Sequence, residues 1–419
     1  GFGMLVILCL FSVPVFTGRP FGTRLANLLN PDHQLHVSGA EDSPVVTRLA
    51  TLLDSDPQLK ASVQFTLSNV PEKYAHYFGN RSIAGLLNFF DRWVDSPVFP
   101  SQDCLSLTLP SRFTEPPLIS QNVTKPQTTP DPLSFISPMW QLASSTDNAV
   151  WLRDPQIIEW LQLFMKSRGM FMDSAASWSP TIEKAWQAAV NFSQFIVPTG
   201  GFSTFNAFFT RQIKRELRPV NSSLYSVAAP SDGYIWLQDD NVQPSDNYQL
   251  KADNLALQEL LGYNGIYMAF LNKTVGGNGG SAVVNYLAAT DYHRFWSPVA
   301  GKLVAVQQLG GLYVANGDPC CVGDHRRAYI VIDTGEQAHG FVAMVVVGMY
   351  DISTIFLEPS VQVGREVSKG EELGHFAYGG SEIITFFEAN VLRPDPDIVA
   401  GMSNRLAGQG YGMLVPKLR

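Results

Sequence analysis

The stretch best equipped for backbone chemistry runs from Glu371 to Glu388, where Gly379-Gly380-Ser381 separates two apolar, strand-like runs. Glycine permits backbone angles that a Cβ forbids, so a tight bend here would hold the Ser381 hydroxyl against the carbonyl carbon of Gly380. That geometry favours an N-to-O acyl shift. The same residues also spell a hairpin turn, because Gly-Gly and Gly-Ser steps between β-rich runs mark turns; both readings stand at this point. Asp232 lies in a Pro230-Ser-Asp-Gly233 turn. His293 lies in Asp291-Tyr-His-Arg294 and reads by itself as a buried, hydrogen-bonded histidine. His375 sits six residues before Ser381.

The elements that must position these residues fall into two regions. At 419 residues the length suits two or three domains, and 45% hydrophobic content is ample for a sizeable core. From Val45 to Phe195 apolar residues recur three and four apart, with proline-led starts, which predicts a helical N-terminal domain over residues 40–197. Asp154-Pro155 opens a helix over Gln156 to Lys166 that Gly169 stops, and Ser179-Pro180 opens another through Val190. Residues 115–135, rich in Pro, Thr and Ser, read as a long loop. The Trp and Met residues of this half sit at helical spacing and are read as core. After Pro198 the pattern changes to β-branched runs at Ala282–Leu287, Lys302–Val306, Tyr329–Asp333 and Phe341–Val347, which predicts a β-rich domain over residues 200–419. The fold class is therefore α+β. Phe205 to Val220 joins the two regions and reads as a helix with a basic, solvated face.

Charge and cysteine content narrow the partners. Charged residues make up 16% of the chain, the net charge is −8, and the pI is near 5.4, so the basic footprint of a nucleic-acid binder is missing. Cys104, Cys320 and Cys321 show neither zinc-site nor redox-pair spacing, and no metal is expected; a bridge from Cys104 to one of the adjacent pair stays open. Residues 1–20 form an apolar segment too short to span a bilayer comfortably, resembling a signal-peptide core. With Asn-x-Ser/Thr sequons at Asn80, Asn122, Asn191, Asn221 and Asn272, it points to the secretory pathway or the extracellular space, with the cytoplasm as the alternative.

Five stretches in the C-terminal half, in the same order along the chain, resemble the phosphatidylserine decarboxylase family of pyruvoyl enzymes. They are Phe208-Phe-Thr-Arg-Gln-Ile-Lys-Arg-Glu-Leu-Arg-Pro219, Ala229-Pro-Ser-Asp-Gly-Tyr-Ile235, a looser Lys251-Ala-Asp-Asn-Leu-Ala-Leu-Gln-Glu-Leu-Leu261, Asp291-Tyr-His-Arg-Phe-Trp-Ser-Pro-Val-Ala-Gly301, and the Gly380-Ser381 stretch. The helical half is similar to the extra domain of soluble fungal relatives. The resemblance implies self-cleavage between Gly380 and Ser381, with the new α and β chains staying together and Ser381 becoming a pyruvoyl group. That ketone would condense with a substrate amine, and the resulting Schiff base would accept the electrons released as carbon dioxide leaves. It implies Asp232 as a charge-relay carboxylate and His293 as an acid–base residue in decarboxylation. Neither a metal nor a diffusible cofactor is called for.

One departure is chemical. Family members commonly read Asp-Tyr-His-Arg-x-His, with the second histidine relaying between aspartate and serine; here that position is Trp296, and indole cannot accept a proton. His293, oriented by Asp232, is therefore expected to serve both maturation and proton transfer, with His375 as competitor. The departure also motivates a rival reading, an uncleaved family member acting as a binding protein. Milder departures are Glu382 after the serine and Ala252 after Lys251. The substrate class implied is a small amine-bearing carboxylic acid. Val347-Gly-Met-Tyr-Asp-Ile-Ser-Thr354 resembles the corresponding run of the soluble fungal branch, which includes the psilocybin-pathway L-tryptophan decarboxylase. That favours a free and possibly aromatic amino acid over phosphatidylserine, which would yield phosphatidylethanolamine. The helical half lacks an evident basic amphipathic segment, and membrane contact stays open.

Overall fold

The computed structural model describes residues 43–100, 135, 139, 142, 150–243, 246–250, 253–262, 265–271, 279–310, 326–335, 340–349, 351–352 and 354–415. The signal-like segment, the expected loop up to residue 134, the sequons Asn122 and Asn272, Lys251 and Ala252, and Cys104, Cys320 and Cys321 lie outside what is described.

Helices dominate up to residue 209. Among the described residues, besides a single turn at Glu72–Ala75 and short 3₁₀ turns, they are α1 (Pro44–Ser55), α2 (Pro57–Ser68), α3 (Ile83–Val94), α4 (Pro155–Met172), α5 (Pro180–Ala189) and the short α6 (Phe205–Phe209). Sequence signals set their starts. Asp56, Asp154, Ser179 and Thr204 each cap a helix by accepting backbone N–H groups of its first turn, and α1, α2, α4 and α5 carry proline in that turn. Gly169 does not stop α4, which continues to Met172. Gly169 packs toward Ile352, and this tertiary contact outweighs a weak local helix preference. The helices share one aromatic-rich core containing Phe89, Phe90, Trp93, Trp160 and Phe164. That core also takes in Phe205, Phe208, Phe209, Ile352, Ala377 and Tyr378, so it extends past residue 197 into segments of the β-rich region.

The β-rich region is built on an eight-stranded sheet. In chain order its strands are β1 (Gly233–Asp239), β2 (Ser281–Leu287), β3 (Gly301–Leu309), β4 (Arg326–Asp333), β5 (Phe341–Met349), β6 (Glu366–Val367), β7 (Gly380–Phe387) and β8 (Ser403–Arg405). In space they run β6-β3-β4-β5-β7-β2-β1-β8, every neighbouring pair antiparallel. Both faces of the central strands are buried, which explains why their sequences read as nearly continuous apolar runs. Val283, Ile330, Met344, Val346 and Ile383 face one core together with Phe295, Phe376 and Tyr411 of smaller strands. Val284, Val331, Val345, Ile384 and Phe386 face a second core beneath Leu257, Leu260 and Phe270. Ser381 lies two residues from Ile383 and so on the first of these faces.

The join between the two regions differs from the expected basic helix. After Phe209 the chain leaves the helix, bridges Phe195 through Ile213, and makes one 3₁₀ turn at Arg215–Leu217. Arg211 and Arg218 are buried rather than solvated. The reason is a set of acceptors the sequence does not display as neighbours, namely backbone carbonyls at 290–291 and the Asp232 carboxylate.

Candidate active site

Ser381 is the second residue of β7 and fully buried. Gly348 of β5 stands opposite it on one side and Leu287 of β2 on the other, so ladders on both sides fix its backbone. The bend before it is made by Gly379, whose φ of 152° suits glycine. This bend is not a hairpin. The preceding strand, Glu372–Phe376, pairs with Ile355–Leu357 and Arg294–Trp296, whereas β7 pairs with β5 and β2. Residues 377–379 therefore carry the chain from one sheet to another.

His293 Nδ1 lies 3.0 Å from Ser381 Oγ, and its Nε2 lies 2.9 Å from the Ala288 carbonyl oxygen. A carbonyl only accepts, so hydrogen-bond geometry assigns the ring proton to Nε2. In the neutral ring Nδ1 then holds the lone pair, and the serine hydroxyl donates to it. Phe209 lies tilted against the buried imidazole at 4.2 Å between centroids, and Phe376 meets it edge-on at 6.2 Å.

The carbonyl that orients His293 is itself held. Ala288 O also accepts the Asp291 N–H at 2.9 Å, and Ala288 N–H donates to Asp291 Oδ2 at 2.7 Å. Arg211 Nη2 donates to the carbonyls of Thr290 at 3.0 Å and Asp291 at 2.9 Å. Burial pushes the Asp291 carboxyl up to about 7; Asp232 adds to this, while the Ala288 N–H and Arg211 oppose it. Burial likewise lowers Arg211 to about 10, against the pull of Asp232 and Asp291.

Asp232 does not orient His293. Its Oδ1 accepts the Ala407 N–H at 2.8 Å, and its Oδ2 pairs with Arg218 Nη2 at 3.2 Å. The structure thus brings Ser381 and His293 together and places Asp232 in an adjoining ion pair, from which its charge is felt by Arg211 and Asp291. Trp296 is fully buried, with the Arg215 guanidinium 3.7 Å above its ring and Tyr292 at its edge. Its backbone N–H donates to Pro230 O at 2.7 Å, so it braces the segment leading to Asp232. His375 stacks on Phe356 at 5.0 Å, and burial beside Arg294 lowers it to about 4. It is a neutral packing residue on another sheet. Glu382 is buried and projects to the opposite face of β7 from Ser381.

Arg211, Arg218 and the Ala288 carbonyl were not singled out by sequence reasoning. For the arginines a signal existed, since both lie in a segment dense in phenylalanine and followed by proline, which disfavours an exposed helix. A backbone carbonyl leaves no such trace. Among the described residues no group of His, Cys, Asp and Glu is arranged to hold a metal ion.

The arrangement can activate a serine hydroxyl against the peptide carbonyl that precedes it. Comparison with known proteins bears on this directly. Residues 205–410 match the family profile described as phosphatidylserine decarboxylase. The chain is 32% identical over 228 residues to phosphatidylserine decarboxylase proenzyme 3 of Schizosaccharomyces pombe, covering 52% of this chain and 22% of that one. It is 26% identical over 261 residues to a phosphatidylserine decarboxylase proenzyme of Clostridium tetani, covering 59% and 84% respectively. It is 30% identical over 271 residues to phosphatidylserine decarboxylase proenzyme 2 of Oryza sativa, covering 61% and 41%. The alignments thus span about a fifth of the fission yeast protein and about two fifths of the rice protein.

Proposed function

Since its residues 205–410 belong to the phosphatidylserine decarboxylase family, we propose that this chain is a proenzyme that cleaves itself between Gly380 and Ser381 and then acts as a pyruvoyl-dependent carboxy-lyase. The observation that carries the reading is the 3.0 Å contact of Ser381 Oγ with His293 Nδ1, whose ring partner Nε2 meets the Ala288 carbonyl.

The residues account for the cleavage as follows. His293 Nδ1 takes the hydroxyl proton as Oγ attacks the Gly380 carbonyl carbon. Collapse breaks the Gly380–Ser381 C–N bond, and the proton passes to the departing nitrogen, leaving an ester between Gly380 and the Ser381 side chain. Removal of the Ser381 α-proton expels the Gly380 carboxylate and leaves dehydroalanine. Tautomerisation and addition of water release ammonia and leave a pyruvoyl group at position 381. Water is the only co-reactant. The residues fit that group: position 381 is fully buried, its backbone is fixed between β5 and β2, and the His293 ring faces it. Once formed, the group supplies an electron sink for decarboxylation of an amine-bearing carboxylate. His293 remains beside it, able to hold or deliver a proton through Nδ1.

The substrate reading favoured here is phosphatidylserine, on the strength of the relatives' names. A free aromatic amino acid rests on the Val347–Thr354 run alone and gains no support from these relatives. Among the described residues no helix is long and apolar enough to cross a membrane.

Intact mass tests the cleavage. The expected products are a chain ending at Gly380 and a chain of residues 381–419 with a blocked, borohydride-reactive N-terminus, and Ser381→Ala should stay whole. A wild-type chain that remains uncut under all conditions would reject the enzyme reading in favour of a binding protein. The matured protein is then offered phosphatidylserine vesicles and free amino acids side by side, with carbon dioxide release as the readout. Turnover confined to the amino acids would overturn the lipid reading and leave the cleavage chemistry intact.

A further inference from the structure

Both segments that border the scissile bond leave the sheet and enter the helical core. On one side β5 passes with Gly348 opposite Ser381 and Met349 opposite Gly380, and Asp351 follows at once. On the other side Ala377 and Tyr378 lead into Gly379. Ile352, Ala377 and Tyr378 are all buried in the core built by the helices. Tyr378 stands edge-on to Phe205 and Phe209 at 5.2 and 5.3 Å, and Phe209 is the ring packed against His293.

A polar tie reinforces this packing. Asp351 is 1% exposed and adopts a left-handed φ of 69°, a conformation that non-glycine residues hold only when their surroundings enforce it. Its Oδ2 accepts Trp93 Nε1–H at 3.2 Å and Arg168 Nε–H at 3.3 Å, and its Oδ1 accepts the Ile352 N–H at 2.9 Å. Arg168, equally buried, extends Nη1 to the Ser96 carbonyl at 2.6 Å. One guanidinium therefore joins α4, the end of α3 and the segment that follows the partner strand of the scissile bond. Stability alone is a poor explanation for such a pair, because apolar side chains of similar size commonly do as well in a core. An ion pair adds direction, since it fixes where the attached backbone lies.

We propose that Arg168 and Asp351 are positioning residues through which the helical region holds the end of β5, and with it the Gly380–Ser381 bond, in register for attack by Oγ. Neither touches Ser381, and the inference rests on the self-cleavage proposed above. The helical region is then part of the maturation machinery. Tyr378, three residues before the cut, keeps the new end of the upstream chain anchored beside position 381 once the bond is broken.

The test follows cleavage of freshly translated full-length chains by intact mass, with folding measured in parallel on a Ser381→Ala background that cannot cut. The double variant Arg168→Met with Asp351→Asn preserves volume and the asparagine tolerance for left-handed backbone while removing the ion pair. We expect it to cleave roughly 10- to 100-fold more slowly, the penalty of a small misplacement of reacting groups, while its thermal midpoint stays within about 4 °C of the parent. Arg168→Lys, which returns a cation to the site, should recover part of the rate; a merely structural role predicts no such rescue at equal stability. Should the double variant fail to fold, Trp93→Phe removes the indole N–H that meets Asp351 together with part of a buried ring, and, with folding confirmed on the same Ser381→Ala background, should still slow cleavage. Wild-type rates in a folded double variant, or in Trp93→Phe, overturn the proposal. A wild-type chain that never cuts refutes the proenzyme reading itself and this inference with it, whereas cleavage of wild type and variants alike refutes only the inference.

Discussion

The decisive perturbation is His293→Gln. Glutamine nearly fills the imidazole volume and can still hydrogen-bond the Ala288 carbonyl, but its amide cannot take a proton from Ser381. The 3.0 Å contact between Nδ1 and Oγ lies within the range for direct proton transfer. A positioned base of this kind contributes roughly 100- to 10,000-fold, equivalent to about 3 to 5 kcal/mol in the barrier. Wild-type and variant chains would be synthesised in parallel, sampled over time, and the uncut 46.1 kDa chain quantified against its two fragments by mass spectrometry. Urea denaturation on the Ser381→Ala background would confirm that the variant folds. If the folded variant cleaves within about twofold of wild type, the loss of a base of this strength has had no effect, and His293 is not the base.

Further expectations bear on its neighbours. Trp296→His should not accelerate cleavage, because His293 already occupies the hydroxyl; it should lower stability by about 2–4 kcal/mol, from loss of a large ring buried under Arg215, which urea melts will show. Asp232→Asn should leave most of the cleavage rate while destabilising the fold by about 3 kcal/mol, because the buried Arg218 loses its partner; near-complete loss of cleavage in a folded variant would restore the carboxylate to a relay role. His375→Gln should cleave normally at neutral pH. Since the native histidine is lowered to about 4 from 6.5, its stabilising contribution is complete above 6.5 and lost as pH falls toward 4, so thermal melts should show wild type losing ground to the variant on acidification. Asp291 behaves oppositely. Its native pKa is raised from 3.8 to about 7, so its contribution is complete below 3.8 and lost as pH rises through 7, and Asp291→Asn should gain on wild type across that window in the same assay.

Much of this site could be read from residue types. Gly379-Gly380-Ser381, the β-branched runs and the Asp291-Tyr-His-Arg294 motif each carry local chemistry, and the observed strands at 281–287, 301–309, 326–333 and 341–349 contain the expected runs. Burial was the harder property. The basic segment after Phe205 looks solvated because charge runs usually are, yet Arg211 and Arg218 turn inward to acceptors 14 to 80 residues away in sequence. The apparent hairpin at Gly379 failed for a similar reason. Local turn chemistry says that the chain bends; only the long-range pairing of Glu372–Phe376 with Ile355–Leu357 decides that it bends into another sheet.

The orienting group on His293 also explains how Trp296 can be tolerated. A relay carboxylate fixes the tautomer of a histidine and stabilises the imidazolium formed in the reaction. The Ala288 carbonyl performs the first task through its bond to Nε2–H and contributes only a dipole to the second. The proposed self-cleavage is a single turnover that would return the proton to the departing nitrogen of Ser381, so the imidazolium would be brief and a high rate is not required. A neutral acceptor therefore suffices, provided it is rigid. Its rigidity comes from the closed turn at 288–291 and the Arg211 clamp. The cation of that clamp is not free to stabilise an imidazolium; it is spent on holding carbonyls. On the proposed self-cleavage this arrangement exchanges speed for geometry, which would place the burden of maturation on the residues that keep the Gly380–Ser381 bond in line, the helical region's Arg168 among them.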